Sequence, residues 1–206
     1  MRRNISSQRV RPRLFENSFF ESFTFFTLKA FLAMWAVFLA GIAAVAIAKA
    51  PTFWAVPVIA AGWLTWTITE YALHRFVFHL EPESDRLKQI VFVIHGNHHA
   101  DPNDPLRNLM PPVVSVPLGT LIWLGCVGLM GPLGHWFFLG FVMGYVVYDL
   151  VHYACHQFAM TGAMARFLKV HHMRHHFERE GGNYAITGMI WDRLFSTALT
   201  SRRERG

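Results

Sequence analysis

Four stretches of this sequence stay apolar long enough to decide where the chain can fold. Leu28 to Ala48 is interrupted only by Lys29 near its start. As a helix its twenty-one residues reach roughly 31 Å, about one hydrocarbon core. Thr52 to Ile68 is a second run, closed by Glu70. Val113 to Met130 is a third, and Leu133 to Val147 a fourth that runs on into Tyr148 and Asp149. The connections Lys49-Ala50-Pro51 and Gly131-Pro132 are short and built from residues that suit sharp reversals. The expectation is an all-α integral membrane protein with four transmembrane helices in two hairpins. Composition agrees: 16% of residues are charged, against about 25% in a typical soluble domain. The 15% aromatic content excludes disorder, and two cysteines, Cys126 and Cys155, are too few for a disulfide scaffold.

Charge orients the hairpins. Arg2, Arg3, Arg9, Arg11 and Arg13 precede the first run. Arg75, Arg86, Lys88 and Arg107 lie between the hairpins. Arg166, Lys169, Arg174, Arg179, Arg193, Arg202, Arg203 and Arg205 follow the last run, and only Lys49 falls in a far-side turn. The positive-inside rule then places both termini and the middle segment in the cytoplasm, so a bacterial chain would lie in the inner membrane. Basic residues facing anionic lipid account for the pI near 9.7 without any nucleic acid. Ala46-Ile47-Ala48 has the look of a signal-peptidase site, but the apolar core before it is about twice the usual length. One membrane domain is expected over 1–206: a cytoplasmic arm (1–27), a membrane hairpin (28–69), a cytoplasmic segment (70–112), a second hairpin (113–150), and a cytoplasmic segment with tail (151–206). No second soluble domain is expected.

The twelve histidines respect this topology. His74 and His79 follow the second run. His95, His98 and His99 lie in the middle segment, and His152 and His156 end the fourth helix. His171, His172, His175 and His176 lie in the C-terminal segment, and only His135 falls on the far side. His95-x-x-His98-His99 and His172-x-x-His175-His176 repeat at i, i+3, i+4, so each triplet is expected to share one helix face. His152 and His156 are an i, i+4 pair. His74 and His79, five apart, would point about 140° apart on an α-helix, which suits two different metals. His135 reads as an ordinary turn residue. Ten imidazoles in a small cap would each need a polar partner, and a storage tract needs no such regular spacing. The ten suit two metals of five ligands each. Zinc usually takes four ligands in a closed site and has no redox chemistry, so two iron ions, with dioxygen as co-substrate, are the expected occupants. Zinc is an expected contaminant of purified protein.

At this point the residues resemble a known family. The run H-x4-H, H-x2-HH, H-x3-H, H-x2-HH is similar to the fatty acid hydroxylase/sterol desaturase superfamily. The context is closest to sphingolipid-type fatty acid 2-hydroxylases. It comprises Glu70 through His79, His95-Gly96-Asn97-His98-His99-Ala100-Asp101-Pro102, Asp104 and Arg107 with Pro111-Pro112, Tyr148-Asp149 with His152 and His156, and His171 through Phe177 with Trp191-Asp192. The likeness covers about Gly62 to Thr197. It implies an integral membrane hydroxylase whose dimetal centre inserts one oxygen atom at C2 of a long fatty acyl chain. By analogy His74, His95, His98, His172 and His175 would hold one metal, and His79, His99, His152, His156 and His176 the other. Tyr148 and Asp149 would sit beside the metals, where an acid orients a ligating imidazole. The family often has leucine where Asn108 stands and glycine where Ala185 and Ser196 stand. Its eukaryotic members often carry a fused cytochrome b5 domain, and the arm here is too short for one. A separate ferredoxin- or cytochrome b5-like electron donor is therefore expected, docked by the basic face. The expected substrate is a long-chain fatty acyl lipid among membrane lipids, its tail lying among aromatic and leucine side chains. An oxidase of the same superfamily acting on sterol, carotenoid or a lipid head group is the alternative. A metal transporter fits less well, because the four runs have almost no ionisable residue near their centres. A non-catalytic metal-binding membrane protein is the remaining alternative.

Overall fold

The computed structural model describes residues 11–178 and 181–199. Arg2, Arg3, Arg9, Arg179, Arg202, Arg203, Arg205 and Gly206 lie outside that range. The described residues are helical, without a strand. In chain order they form α1 (Ser18–Ser22), α2 (Leu28–Lys49), α3 (Ala55–Leu73), a π turn (His74–Phe78) and α4 (Asp85–Val91). A second π turn (Phe92–Gly96) leads into α5 (Asn97–Ala100) and α6 (Pro112–Met130). After a short 3₁₀ turn come α7 (Gly134–Gln157), α8 (Ala163–Phe177) and α9 (Ile190–Leu194).

Each apolar run becomes a helix, and the two hairpin turns fall where expected. Thr27 caps α2, its side chain accepting from the Ala30 amide. Gly131 reverses the chain between α6 and α7 at φ 60°, a conformation that costs glycine little. Two stretches are long and apolar enough to cross a membrane by length and composition: Leu28–Lys49, and Pro112–Gln157, which holds both α6 and α7. α3 is less apolar because Thr65, Thr67, Thr69 and Glu70 punctuate it. Its threonine hydroxyls donate back to carbonyls one turn earlier, Thr65 to Ala61 at 2.9 Å and Thr69 to Thr65 at 2.7 Å. Leu129 is 91% exposed and Val37 74%. Apolar side chains so displayed are what a lipid-facing surface presents.

α7 is the central helix, packed most extensively on α3 and then on α6 and α2. Small residues set the α3–α7 approach. A methyl at Gly62 would lie 2.0 Å from the Phe137 carbonyl oxygen, and one at Gly140 would lie 2.0 Å from that of Ile59. Closing the backbones lets Trp66 sit edge-on to Phe141, Tyr145 and Tyr148, with Trp35 of α2 against Tyr145. The Trp136 indole donates to the Ala50 carbonyl at 2.7 Å and ties the turn of one hairpin to the other. α7 also continues ten residues beyond Val147, so the core helix itself carries His152 and His156 into the cap.

Gly140→Ala should therefore force α3 and α7 apart and cost about 1–3 kcal/mol. Gly125→Ala, where a methyl meets nothing within 4 Å, should leave stability unchanged or slightly raised. Thermal unfolding in detergent compares the two, and equal midpoints would contradict this account of the packing.

Candidate metal centre

The ends of α3 and α7, the two π turns with α5, and α8 bring all ten expected histidines together in two groups of five. His74, His79, His95, His99 and His175 form the first group; His98, His152, His156, His172 and His176 form the second. Within each group the ligand atoms lie within 4.8 Å of one another. The contacts are made by Nε2 throughout. His74 and His99 each face His95, at 3.1 and 3.0 Å, and His79 and His175 face each other at 3.0 Å. In the second group His98 faces His152 at 2.9 Å and His176 at 3.1 Å, and His156 faces His172 at 2.8 Å.

This grouping corrects the one expected by analogy. His98 and His172 belong with the second group, and His79 and His99 with the first. Two local features explain the change. A π turn closes its hydrogen bond from i to i+5, here from the His79 amide to the His74 carbonyl at 3.2 Å. Residues five apart therefore return to nearly the same side, and His74 and His79 share a group instead of diverging by 140°. In each H-x-x-H-H triplet the i, i+4 members share a group and the i+3 member serves the other. Thus His95 and His99 join the first group while His98 crosses to the second. His172 and His176 join the second while His175 crosses to the first. All three members of each triplet turn into the cluster, as expected of one helix face, but they divide between the two groups. Each group takes a pair from the end of a long helix, an i, i+4 pair from one triplet and a single histidine from the other.

Burial governs the protonation of these rings. His74, His95, His98 and His172 are buried, and burial with neighbouring imidazoles holds the first two and His172 well below the usual histidine range. Burial pulls His99 down to about 4 and His175 to about 3. The rings are neutral at pH 7, each with one N–H and one lone pair. Outer contacts assign them: His74 Nδ1 donates to the Tyr184 carbonyl, His175 Nδ1 to that of Gly182 at 2.8 Å, and His152 Nδ1 to that of Asn108 at 3.1 Å. A carbonyl can only accept, so Nδ1 carries the proton and Nε2 turns its lone pair inward. Neither group contains a carboxylate. Converging lone pairs at such distances repel one another and are satisfied by a cation; imidazole is a ligand for iron, zinc, copper and nickel. The residues therefore fit two metal ions.

His171 points away and faces Asp192 Oδ2 at 3.1 Å. His135 accepts from the Trp123 indole at 3.0 Å, beside the α6–α7 turn. The fourth cluster thus starts at His172. Tyr148 stacks on His152 with rings 5° from parallel. Asp149 is buried and accepts from the Met110 amide at 3.2 Å rather than from a histidine. The expected role of Asp149 as an acid orienting a ligand is not the contact observed.

Two other carboxylates support the site, neither of them marked by residue spacing. Glu70 Oε1 accepts from the amides of Ile186, Thr187 and Gly188 at 3.1, 2.7 and 3.0 Å. Asp192, fully buried, accepts from the amides of Tyr184 and Ala185, both at 2.9 Å, and from the Thr197 hydroxyl at 2.7 Å. These bonds fix the loop whose carbonyls hold His74 and His175. The available signal was an acid closing an apolar run, since such a group must find partners.

A cavity of about 280 Å³ abuts both groups, touching His95 of the first and His98 and His152 of the second. His98, His152, Tyr148 and Asp149 line it on one side, and Phe20, Phe23, Phe78, Ile94, Val113 and Val114 supply much of its apolar wall. Phe20, Phe23 and Val113 are themselves exposed outward.

His172→Ala should lower bound metal from about two ions per chain to about one, whereas His171→Ala and His135→Ala should keep both. Asp192→Ala should loosen the Tyr184 carbonyl and weaken metal binding about 10–100-fold, as removal of such supporting groups does. Metal analysis of the purified variants decides it. A His171→Ala protein that loses metal while His172→Ala keeps it would contradict the register.

Residues 59–197 match the family model described as fatty acid hydroxylase. The chain is 35% identical over 193 residues to the dihydroceramide fatty acyl 2-hydroxylase FAH2 of Arabidopsis thaliana, covering 90% of this chain and 79% of that protein. It is 38% identical to the fatty acid 2-hydroxylase of Homo sapiens, covering 66% of this chain and 38% of that one. The solved structure of full-length scs7p, with only its hydroxylase domain visible, superposes with a TM-score of 0.82 at 30% identity, over 88% of this chain and 70% of that one. With the histidine pattern, the helical scaffold and these likenesses in agreement, the chain belongs to the fatty acid hydroxylase family, a family of hydroxylating enzymes.

Proposed function

We propose that this protein is a membrane-bound dimetal oxygenase that hydroxylates the acyl chain of a long-chain fatty acid or lipid at C2. The observation that carries the reading is the apolar cavity lying directly against His98 and His152 of the second histidine group. An acyl chain fits walls of phenylalanine, valine and isoleucine, and a carboxyl or amide at its head fits the polar end near Tyr148, Asp149 and Asn108. C2 is the carbon next to that head. A cavity polar at one end and apolar along its walls therefore favours oxidation near the head over oxidation along the tail. Relatives named as fatty acyl or fatty acid 2-hydroxylases in a plant and in mammals support the same position, and a fungal relative is named as a ceramide very long chain fatty acid hydroxylase.

The ten histidines are the proposed ligands, grouped five and five as above, and iron is the proposed metal. A bound iron pair would supply the dioxygen-activating redox chemistry that an alkyl C–H bond requires. One oxygen atom enters the C–H bond and the other leaves as water, with two electrons and two protons supplied from outside. The electrons are proposed to come from a separate ferredoxin- or cytochrome b5-like donor docking on the basic face. The chain itself positions the acyl carbon, excludes water with the cavity walls, and holds the imidazoles in one tautomer. Tyr148, stacked on His152, and Asp149, anchored by the Met110 amide, line the cavity and are proposed to position the substrate head. The proposed topology has four spans, α2, α3, α6 and α7, with both termini and the cap in the cytoplasm. It rests on helix length and on the basic residues gathered at one side.

Expression in a host lacking hydroxylated lipids should produce new 2-hydroxy fatty acids on lipid hydrolysis, labelled from 18O2 and not from labelled water. Products hydroxylated only on a sterol or head group would move the reading to another oxidase of the superfamily. Reporters at Ala50 and Gly134 should read as far-side and those at Gln89 and Gly206 as cytoplasmic. A zinc-only preparation should fold and be inactive; full activity there would contradict a redox reaction.

A further inference from the structure

His98 is the single histidine that α5 sends across to the second group. Its Nε2 faces His152 and His176, and its Nδ1 faces Asn108 Oδ1 at 3.3 Å. Asn108 is 3% exposed, and its amide has one chemically sensible orientation. The Pro102 carbonyl lies 3.1 Å from the other end of the amide and can only accept, so the NH₂ group must point there. The amide oxygen is then left to face His98. An oxygen at that position demands Nδ1–H, which leaves the Nε2 lone pair directed at the group's centre.

Asn108 does a second thing at the same time. Its main-chain carbonyl accepts from His152 Nδ1. One residue thus orders two rings that come from different helices, α5 and α7. The first group is supported differently: the carbonyls holding His74 and His175 are main-chain groups of Tyr184 and Gly182, which side-chain substitution does not remove. Within the second group, His156, His172 and His176 have Nδ1 atoms that find no partner among the described residues. The side chain of Asn108 is therefore a large part of what orients that group.

We propose that Asn108 is the positioning residue of the second metal site, fixing the His98 tautomer through its side chain and so setting that site's affinity without touching the metal. This rests on the reading of the ten histidines as two metal sites. It predicts an asymmetry that substitution can expose: removing the amide oxygen weakens one site and spares the other. Asn108→Leu fills the volume with no acceptor. Asn108→Ala removes the amide without adding bulk beside His98. Asn108→Asp keeps an oxygen that Nδ1–H can donate to.

The test uses full-length protein in detergent, loaded with zinc and titrated with a chelator while released and retained zinc are both counted. Wild type should hold about two zinc ions per chain; clearly fewer would contradict the two-site reading itself. In N108L, half the zinc should leave at about 10–100-fold lower chelator strength while the other half leaves as in wild type. N108A should show the same split release and carries the test if N108L does not fold; N108D, which keeps an acceptor for His98 Nδ1–H but loses the donor to the Pro102 carbonyl, should hold the second zinc more tightly than N108A does. Unchanged release of both halves in N108A would overturn the proposal. Equal weakening of both halves would overturn it too, since that is the mark of a general structural role.

Discussion

Ten neutral imidazoles turned inward with no anion among them are the arrangement on which the rest of the molecule depends. Nitrogen atoms meeting at about 3 Å through lone pairs repel, and burial removes the water that would otherwise separate them. Protonation offers no relief, because burial makes the charged rings costly. A cation at each centre would convert the repulsion into ligation, and its binding would then contribute to folding. The elements of the cap are arranged to make that convergence possible.

Geometry is distributed between rigid and adaptable parts. α7 is the most buried helix and reaches from the α6–α7 turn to His156 without a break, so the second group inherits its position from the packed core. α3 ends instead in a π turn, which swings His79 back over His74. A second π turn does the same work before α5, its loosened carbonyls at Phe92 and Val93 taken up by the Asn97 side chain at 3.1 and 2.7 Å. The exchange of one histidine between the two triplets interlocks α5 with α8; His99 and His176, on opposite groups, stack with centroids 4.2 Å apart. Glu70 and Asp192 then hold the 182–188 loop, whose carbonyls finish the first group. The apolar cavity needs no further architecture, because it forms where α6, the arm and the segment before α5 meet this cluster.

Much of this was legible from residue order. The apolar runs mark α2, α3, α6 and α7, since a helix in lipid must be apolar over its whole length. Histidine spacing picked out the ten rings that the structure brings together and the start of the fourth cluster at His172, because helical periodicity turns sequence spacing into direction. The same rule failed at His74 and His79. A π turn adds a residue to the helical turn, and nothing in Arg75-Phe76-Val77-Phe78 announces it. The division of the triplets implied by the family resemblance also differs from the one observed, because only tertiary packing decides which centre the i+3 member faces. The family resemblance implies Asp149 as the supporting acid, but its carboxylate is taken by the Met110 amide. The acids that do support ligands, Glu70 and Asp192, act through a loop more than a hundred residues from Glu70, a distance no local pattern spans.

X-ray absorption at the metal edge of the loaded protein tests the central claim most directly, because imidazole rings leave a distinctive multiple-scattering signature. The account predicts a shell of about five imidazole nitrogens for each of two metal ions, at the roughly 2.0–2.1 Å usual for such bonds. A shell dominated by carboxylate oxygen, with one or two imidazoles per ion, would contradict it.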